Sequence, residues 1–368
     1  LVRVDGLTTL CTFAELWDRT GGQVPAGTEV LAWSPDDTEP AFHPVAALTR
    51  RPYEGVLVTV RTKMGRTLTV TADHPLVVCD GTQDPSLHVI EAGDVDTACW
   101  LPVAQGSPLT EEAQVLDLLA LAEAGGVEAS DIIVELSDAQ FEQAMSLRSQ
   151  LPANRRHELP RTHCLRVDEL RRLGIDPSDG RLKTATNGTT VPARLQLDAD
   201  AWRTIGLYLA EGHVTVDGRR HRMAWSFHPR EEQDLVDFVV DFWSRHGVKV
   251  DARVGTTTHQ VTLSSRILAV AFRELGLGWN CYEHRIPDQI WSAGPESKRS
   301  LLRGLWDGDG SWSLVNGGPS VVLEYGTVSP MLADGMLRLL GDLGIVARHK
   351  VGRSAKSTTD AHFLMISG

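Results

Sequence analysis

The stretch that decides the fold is "LLRGLWDGDGSW", residues 301–312, in which an apolar helical pattern runs directly into two aspartates and three glycines. A similar stretch, "TIGLYLAEGHV", occupies residues 204–214 and repeats the order of apolar residues, a small residue, an acid and a glycine. The two acids are Glu211 and Asp309. Two copies of one pattern, about a hundred residues apart in the chain, predict an internal duplication of the fold.

The flanking patterns support this duplication. From residue 197 the periodicity predicts a helix over 199–211, two strands, an amphipathic helix in "EEQDLVDFVVDFWSRHG" and two more strands, and then a helix over 266–275. The order restarts with a helix over 297–309, two strands about an Asn316-Gly317 turn, a helix with Ser329 at its N-cap and Pro330 at its first position, and two final strands. The sequence therefore predicts an α+β domain over 197–368 with duplicated αββαββ halves.

Small residues recur one helical turn apart on both acid-bearing helices, as Gly206 with Ala210 and Gly304 with Gly308. A glycine inside a helix costs about 1 kcal/mol, so this spacing predicts two helix backbones in direct contact. The two acids then meet at helix C-termini, which already carry partial negative charge. A hard divalent cation relieves this repulsion, and the pattern predicts Mg²⁺ held by the two carboxylates and nearby backbone carbonyls.

Two other interpretations of "DGDGSW" are possible. As an EF-hand loop it fails, because Trp312 stands where glycine is needed at the sixth position and Gly318 stands where glutamate is needed at the twelfth. A plain helix C-cap explains Gly212 or Gly310 singly, but it does not explain a matched pair.

The two stretches resemble the paired motifs of LAGLIDADG homing endonucleases. The resemblance implies a monomer that makes a double-strand break in duplex DNA at a long asymmetric target, each acid serving one strand. It places the metal at Glu211 and Asp309, with the carbonyls of Ala210 and Gly308, and implies two or three Mg²⁺ ions shared between the acids when DNA is bound. Family members usually carry a catalytic lysine before an "IP" pair, and His284 occupies that position here. Cleavage is thus one expectation, and a DNA-binding module that has lost catalysis is the alternative.

The first hundred residues predict an all-β fold with one short helix, and "GRTLTVTADHPLVV" (65–78) resembles an intein motif of the Hint splicing domain. The resemblance implies that Thr71 and His74 assist the first acyl shift at a splice junction with host-protein exteins. A Hint autoprocessing domain of another kind is the alternative, disfavoured by the nuclease repeat. The splicing nucleophile and the terminal His-Asn pair are not in the sequence, so the chain as written is not expected to splice. The whole layout resembles inteins of the archaeal DNA polymerase type.

Charge is unevenly distributed along the middle of the chain. Residues 91–140 hold eleven acids and no lysine or arginine, whereas 148–194 hold ten lysines and arginines against five acids. A local basic excess suits DNA phosphates, although a solvated surface is an equal alternative on charge alone. We therefore divide the chain into a Hint-like domain (1–105), an insert (106–196) and the endonuclease domain (197–368). The residues predicted to grip DNA from the insert are Arg148, Arg155, Arg156, Arg171, Arg172, Arg181 and Lys183.

The totals agree with this interpretation. The chain has 368 residues, 42% of them hydrophobic, and a net charge of −12. Its five cysteines lack zinc-ligand spacing, which favours a reducing compartment, and we expect the protein in the cytoplasm. No signal peptide and no membrane span are predicted.

Overall fold

The computed structural model describes residues 1–34, 39–81, 86–103, 105–107, 114–186, 188–315, 318–353 and 358–367. The chain forms two compact units. The first comprises Leu1–Glu111, Asp288–Pro295 and Ser311–Gly368, and the second comprises Glu112–Pro287 and Glu296–Gly310. Each unit is therefore assembled from separate stretches of sequence. The predicted Asn316-Gly317 turn lies outside the described residues.

The N-terminal part of the first unit is β-rich with one helix, as predicted. Thr12 caps this helix, and Thr12 and Glu15 form a reciprocal capping box. A small core of Leu76, Val78 and Ala92 packs beneath the strands. The strands form one sheet in the order β2-β1-β3-β4 and the hairpins β5-β6 and β7-β8. The elements are β1 (Val2–Val4), β2 (Leu7–Thr9), α1 (Phe13–Thr20), β3 (Glu29–Ala32), β4 (Ala41–Pro44), β5 (Leu57–Arg61), β6 (Thr67–Thr71), β7 (Pro75–Val78) and β8 (His88–Glu91).

The N-terminal part of the second unit is a folded body rather than an extended insert. Its elements are β9 (Val115–Asp117), α2 (Leu118–Ala124), β10 (Ile132–Glu135), α3 (Asp138–Ser146), α4 (Ala153–Thr162), β11 (Cys164–Arg166), α5 (Val167–Arg172), β12 (Arg181–Thr184), β13 (Val191–Pro192) and β14 (Arg194–Gln196). Four strands form a sheet in the order β11-β10-β12-β13, and β14 pairs with β9. The polar, turn-rich stretch "TATNGTTVPA" (184–193) predicts a linker, and this prediction is wrong, because β13 pairs with β12 and Val191 is fully buried.

The second unit continues with the first αββαββ half. Its elements are α6 (Ala199–Glu211), β15 (Gly212–Asp217), β16 (Arg220–Phe227), α7 (Gln233–Arg245), β17 (Asp251–Val254), β18 (His259–Leu263) and α8 (Arg266–Glu274). The sheet order is β15-β16-β18-β17, with antiparallel neighbours throughout. Alternate residues of β16, such as Met223 and Trp225, are fully buried, which gives this sheet one apolar face and one polar face.

The order then repeats, as predicted, in α9 (Pro295–Asp309), β19 (Gly310–Leu314), β20 (Val321–Thr327), α10 (Pro330–Asp342), β21 (Arg348–Gly352) and β22 (Ala361–Ser367). The sheet order β19-β20-β22-β21 matches that of the first half. Ser329 caps α10 and Pro330 begins it, which confirms that prediction. The duplicated αββαββ arrangement is confirmed. Among the described residues, no helix is both long enough and apolar enough to cross a membrane.

Within the first unit, the tip of the β5-β6 hairpin is joined to β21. The His349 amide donates to the Met64 carbonyl at 2.9 Å, and Arg66 Nη1 donates to the Ala347 carbonyl at 3.1 Å. Gly65 has φ +83°, and a Cβ there would lie 1.7 Å from the His349 carbonyl oxygen, so this contact requires glycine. The N-terminal strands and the β19-β20-β22-β21 sheet of the second αββαββ half are therefore parts of one unit.

Candidate active site

The helices α6 and α9 touch backbone to backbone in the second unit. A Cβ added to Gly304 would lie 2.2 Å from the Arg203 carbonyl oxygen and 2.9 Å from the Cα of Gly206. A Cβ added to Gly206 would lie 2.3 Å from the Leu301 carbonyl oxygen. No side chain fits at either position without moving a backbone, so the prediction of a glycine-lined seam is confirmed.

The seam continues to the ends of both helices, where the acids lie. A Cβ added to Gly308 would lie 2.5 Å from the Cβ of Ala210 and 3.5 Å from Oε1 of Glu211. Both helices end where the next residue, Gly212 or Gly310, starts a strand. The close packing thus fixes Glu211 and Asp309 at neighbouring C-termini.

The electrostatics of these acids is unfavourable in the absence of a cation. Burial, reinforced by the charges of Asp309 and Glu232, raises the pKa of Glu211 to about 8. Burial and Glu232 raise the pKa of Asp309 to about 6, although its side chain still reaches solvent. Carboxyl groups whose pKa is raised by burial and a neighbouring charge are typical of functional sites.

Glu232 is a third acid at the site, and sequence reasoning missed it. It is the half-buried N-cap residue of α7, and its carboxylate accepts a hydrogen bond from the His228 amide. An acid at the start of a helix is normally explained by the helix dipole, so the sequence held no signal for its second role.

Asp307, the other aspartate of "DGDG", serves the structure of the seam. Its Oδ2 accepts hydrogen bonds from Arg203 Nε at 3.0 Å and Nη2 at 2.7 Å. The Arg203 guanidinium also stacks 4.2 Å over the ring of Phe238. This ion pair ties α6 to α9 and separates the roles of the two aspartates.

The donor set fits Mg²⁺. Carboxylate and carbonyl oxygens are the ligands this hard cation prefers, and a positive charge would offset the burial and the repulsion that raise both pKa values. Among the described residues, no group of three or more His, Cys, Asp or Glu side chains is arranged to hold a metal alone. Water or substrate oxygens would therefore complete the coordination, which is usual for magnesium.

His284 lies beneath α6 and is buried, with 1% of its surface exposed. Its Nδ1 is 3.0 Å from the Leu209 carbonyl oxygen, so Nδ1 carries the hydrogen and donates it. Burial lowers the pKa of His284 to about 4, which leaves the ring neutral at physiological pH. A neutral imidazole cannot supply the positive charge of the lysine expected at this position.

The polar face of the β15-β16-β18-β17 sheet is a basic surface that sequence reasoning also missed. Register places Arg222 opposite Thr215, Arg220 opposite Asp217 and Arg253 opposite Gln260. Arg220 and Arg222 alternate with the buried His221 and Met223, and this period-2 pattern was the available signal. Grooves on this face are lined by Thr186, Gly188, Thr189, Thr215, Asp217, Arg220, His221, Arg222, Lys249, Asp251, Arg253, Gln260, Thr262, Leu263 and Ser264.

Several of the predicted DNA-gripping arginines instead pair with acids inside the second unit. Arg155 bonds Glu169 at 2.6 Å, Arg171 bonds Glu123 at 2.6 Å and 2.7 Å, and Arg172 bonds Asp168 at 2.9 Å. Arg156 donates to the Leu151 carbonyl and Arg181 to the Gly247 carbonyl. The basic excess of 148–194 is therefore smaller in the folded chain than in the sequence. Within the described part of the chain, the predicted DNA-gripping residues without an acidic partner are Arg148, Arg156, Arg181 and Lys183.

Thr71 and His74 lie together at the turn between β6 and β7. The His74 amide donates to the Thr71 carbonyl at 3.1 Å, and the His74 carbonyl accepts from the Ala92 amide at 2.8 Å. The His74 side chain is exposed and does not enter the core beneath the strands. The Thr71 side chain is half-buried and shares a hydrogen bond with the Asp73 carboxylate, so of the two it is His74 that faces solvent.

Comparison with known proteins bears on the helices and sheet of the second half. Residues 296–368 match the family model of a LAGLIDADG-like domain. Within this LAGLIDADG-like domain, α9 ends at Asp309. The match does not extend to residues 1–105, whose assignment as a Hint domain stays a prediction.

Similar proteins were also found among curated sequences and solved structures. An uncharacterized protein of Methanocaldococcus jannaschii is 31% identical over 332 residues, covering 87% of this chain and 36% of the relative. The DNA polymerase II large subunit of Thermococcus kodakarensis is 23% identical, covering 94% of this chain and 19% of the relative. This chain thus spans only about a third or less of the length of these relatives. A solved structure of I-DmoI, in complex with DNA and Mn, is 14% identical with a TM-score of 0.34, covering 46% of this chain and 90% of that one.

Proposed function

We propose that this protein is a site-specific DNA endonuclease that cleaves duplex DNA with the help of Mg²⁺. The observation that carries the proposal is the placement of Glu211 and Asp309 at the touching ends of α6 and α9. Two helix-interior glycines and the partly buried Arg203–Asp307 ion pair hold two mutually repelling acids together. Such a site is unfavourable for stability and is explained by a bound cation.

The chain's own residues divide the work of hydrolysis. Glu211 and Asp309, with the carbonyls of Ala210 and Gly308, would hold the metal. When bound, magnesium stabilises negative charge on the phosphate and acidifies a bound water. Glu232 contributes further negative potential, which strengthens retention of a cation between the two acids. His284 is a positioning residue in this scheme, because its hydrogen bond to the Leu209 carbonyl fixes the last turn of α6.

The polar face of the β15-β16-β18-β17 sheet is the proposed DNA-binding surface of the second unit. Arg220, Arg222 and Lys249 supply positive charge for phosphates, Arg253 being paired with Asp251 at 2.8 Å, and the neighbouring glutamine and threonine side chains offer donors and acceptors for base edges. The two halves of the duplication differ in sequence, so we expect a long asymmetric target bound by a monomer. Each acid would then serve one strand.

A second candidate function, DNA binding without cleavage, is supported by one specific observation. His284 stands where the family usually has lysine, and its burial keeps it neutral. If the missing positive charge is essential, the protein would bind its target and leave it intact. The acids remain in place in both cases, so cleavage itself must be measured.

We further propose that residues 1–105 are the N-terminal part of a protein-splicing domain that joins host-protein exteins. The exposed His74 side chain at the β6-β7 turn, three residues after the half-buried Thr71, supports this, since an exposed imidazole can reach a scissile amide. The similarity to segments of the DNA polymerase II large subunit and reverse gyrase of T. kodakarensis is consistent with a domain carried inside host enzymes.

The test uses a duplex spanning the insertion point in the uninterrupted allele of the encoding gene, with Mg²⁺. We expect the wild type to cut both strands and Glu211→Gln or Asp309→Asn to lose at least about a hundredfold in rate, while DNA affinity is retained. Asp307→Asn is the matched control, since it removes a neighbouring carboxylate that binds Arg203, and it should keep its dependence on Mg²⁺. Equal cleavage by both acid variants would remove these acids from the chemistry. Binding without cleavage by the wild type would establish the second candidate.

A further inference from the structure

We propose that a cavity lined by Arg166, Arg219 and Arg266 is a binding subsite for a backbone phosphate of DNA. We call it the arginine cavity; its lining is completed by Ser130, Asp131, Ile133, Thr184, Ala185 and Thr186. The inference rests on the DNA binding proposed above. It places a phosphate contact where the N-terminal part of the second unit (β9–β14) meets the β15-β16-β18-β17 sheet, at residues other than Glu211 and Asp309.

The charges of the arginine cavity do not balance. Among the described residues that line it, Asp131 is the one acid, facing three guanidinium groups. Its Oδ2 is 3.6 Å from Arg219 Nη1 and 3.5 Å from Arg266 Nη1, both near the limit for an ion pair. Arg166 donates to the Ser130 carbonyl, a neutral acceptor. The lining therefore carries a formal charge of two positive units and favours an anion.

The three arginines are supplied by different elements that meet there. Arg166 ends β11, Arg219 lies in the turn between β15 and β16, and Arg266 begins α8, whose N-terminus adds partial positive charge. Arg guanidinium groups donate in a planar fork that matches phosphate oxygens. The cavity has a volume of about 50 Å³, several times the roughly 10–15 Å³ that one water needs on the same measure, which is room for one phosphate group.

The position of the cavity indicates where its phosphate comes from. Thr186 lines both the arginine cavity and the adjoining groove that contains Arg220 and Arg222. Arg222 and Ser264 in turn line the next groove, with Lys249 and Arg253. The arginine cavity thus adjoins the two grooves of the sheet face through shared lining residues, and we call the three together the track. A duplex lying on that face would bring its flanking backbone to the cavity.

The experiment measures DNA affinity against salt by fluorescence anisotropy, on the insertion-point duplex and on versions shortened on either flank. Loss of one phosphate contact lowers the slope of log K against log salt by about 0.9. We expect Arg219→Gln, whose side chain is 72% exposed, to show this reduction and several-fold weaker binding on the full duplex. Arg166→Gln should do the same. Shortening one particular flank should abolish the difference, and Asp131→Asn should tighten binding.

The control is Arg299→Gln, an arginine 60% exposed on α9 that pairs with Glu296 outside the track. It should leave the slope unchanged. If the wild type fails to bind any duplex, the proposed function itself is wrong. If the wild type binds while the Arg219 and Arg166 variants keep its slope, only the subsite is wrong. Thermal stabilisation by inorganic phosphate with unchanged DNA slopes would assign the cavity to a free anion and also overturn the proposal.

Discussion

Replacing Gly304 by alanine should destabilise the second unit, although alanine is the better helix former. The added Cβ would lie 2.2 Å from the Arg203 carbonyl oxygen and 2.8 Å from the Leu207 nitrogen, so two backbones must separate. Overpacking of this kind costs about 1–3 kcal/mol, and we take the upper value because no flexible side chain can yield. Better helix propensity returns about 1 kcal/mol. The net loss of about 2 kcal/mol corresponds to a fall of roughly 4–8 °C in Tm for a unit of this size.

The matched control is Gly341→Ala in α10, where an added Cβ meets nothing within 4 Å. The same chemical change should there be neutral or stabilising by up to about 1 kcal/mol. Scanning calorimetry of both variants gives the comparison. A Tm for Gly304→Ala at or above the wild-type value would refute the backbone contact between α6 and α9. Cleavage by Gly304→Ala should also fall, because separating the helices moves the acids apart.

Three further predictions concern individual side chains. Because folding raises the pKa of Glu211 to about 8, the folded state binds more protons than the unfolded chain. The free energy of unfolding of the metal-free protein should therefore fall as pH rises from about 5 to 8, and Glu211→Gln should flatten that dependence. The increase in Tm produced by Mg²⁺ should grow with pH. His284→Gln should keep the wild-type pH profile above pH 5 if the ring only positions α6, whereas a cleavage loss of a hundredfold or more would make His284 catalytic. In a precursor with both exteins attached, His74→Ala should slow the first acyl shift. The shift is measured on gels as thiol-induced cleavage at the N-terminal junction, and an unchanged rate would remove His74 from splicing.

The sequence predicted those parts of the site that depend on local patterns. Gly206 and Gly304 are costly inside helices, and that cost implied a close contact that the structure confirms. Glu232 was not predictable, because its contribution comes from long-range packing and its position already had a sufficient local explanation. The same limit applies to the arginines, since the sequence cannot show that Arg171 is bonded to Glu123 from a distant helix.

The basic residues of the polar sheet face were partly predictable from the sequence. Arg220 and Arg222 alternate with buried residues, so their common face was readable from the sequence, whereas Arg253 joins them only through strand order. The stretch 184–193 was assigned as a linker from its polar composition. Its short strand β13 is stabilised by pairing with β12, an interaction between segments that local composition does not encode.

The interleaving of the two units has a consequence for how the gene can change. Helix α9 belongs almost entirely to the second unit, yet it is encoded between stretches of the first, so a contiguous deletion of 112–287 would not remove the second unit cleanly. Such a deletion would leave α9 with Gly304 and Leu301 stripped of the helix that covers them. Loss of the acid-bearing second unit by a single excision would thus leave an incomplete product. Point mutation of an acid is the easier route, and it would leave the architecture intact.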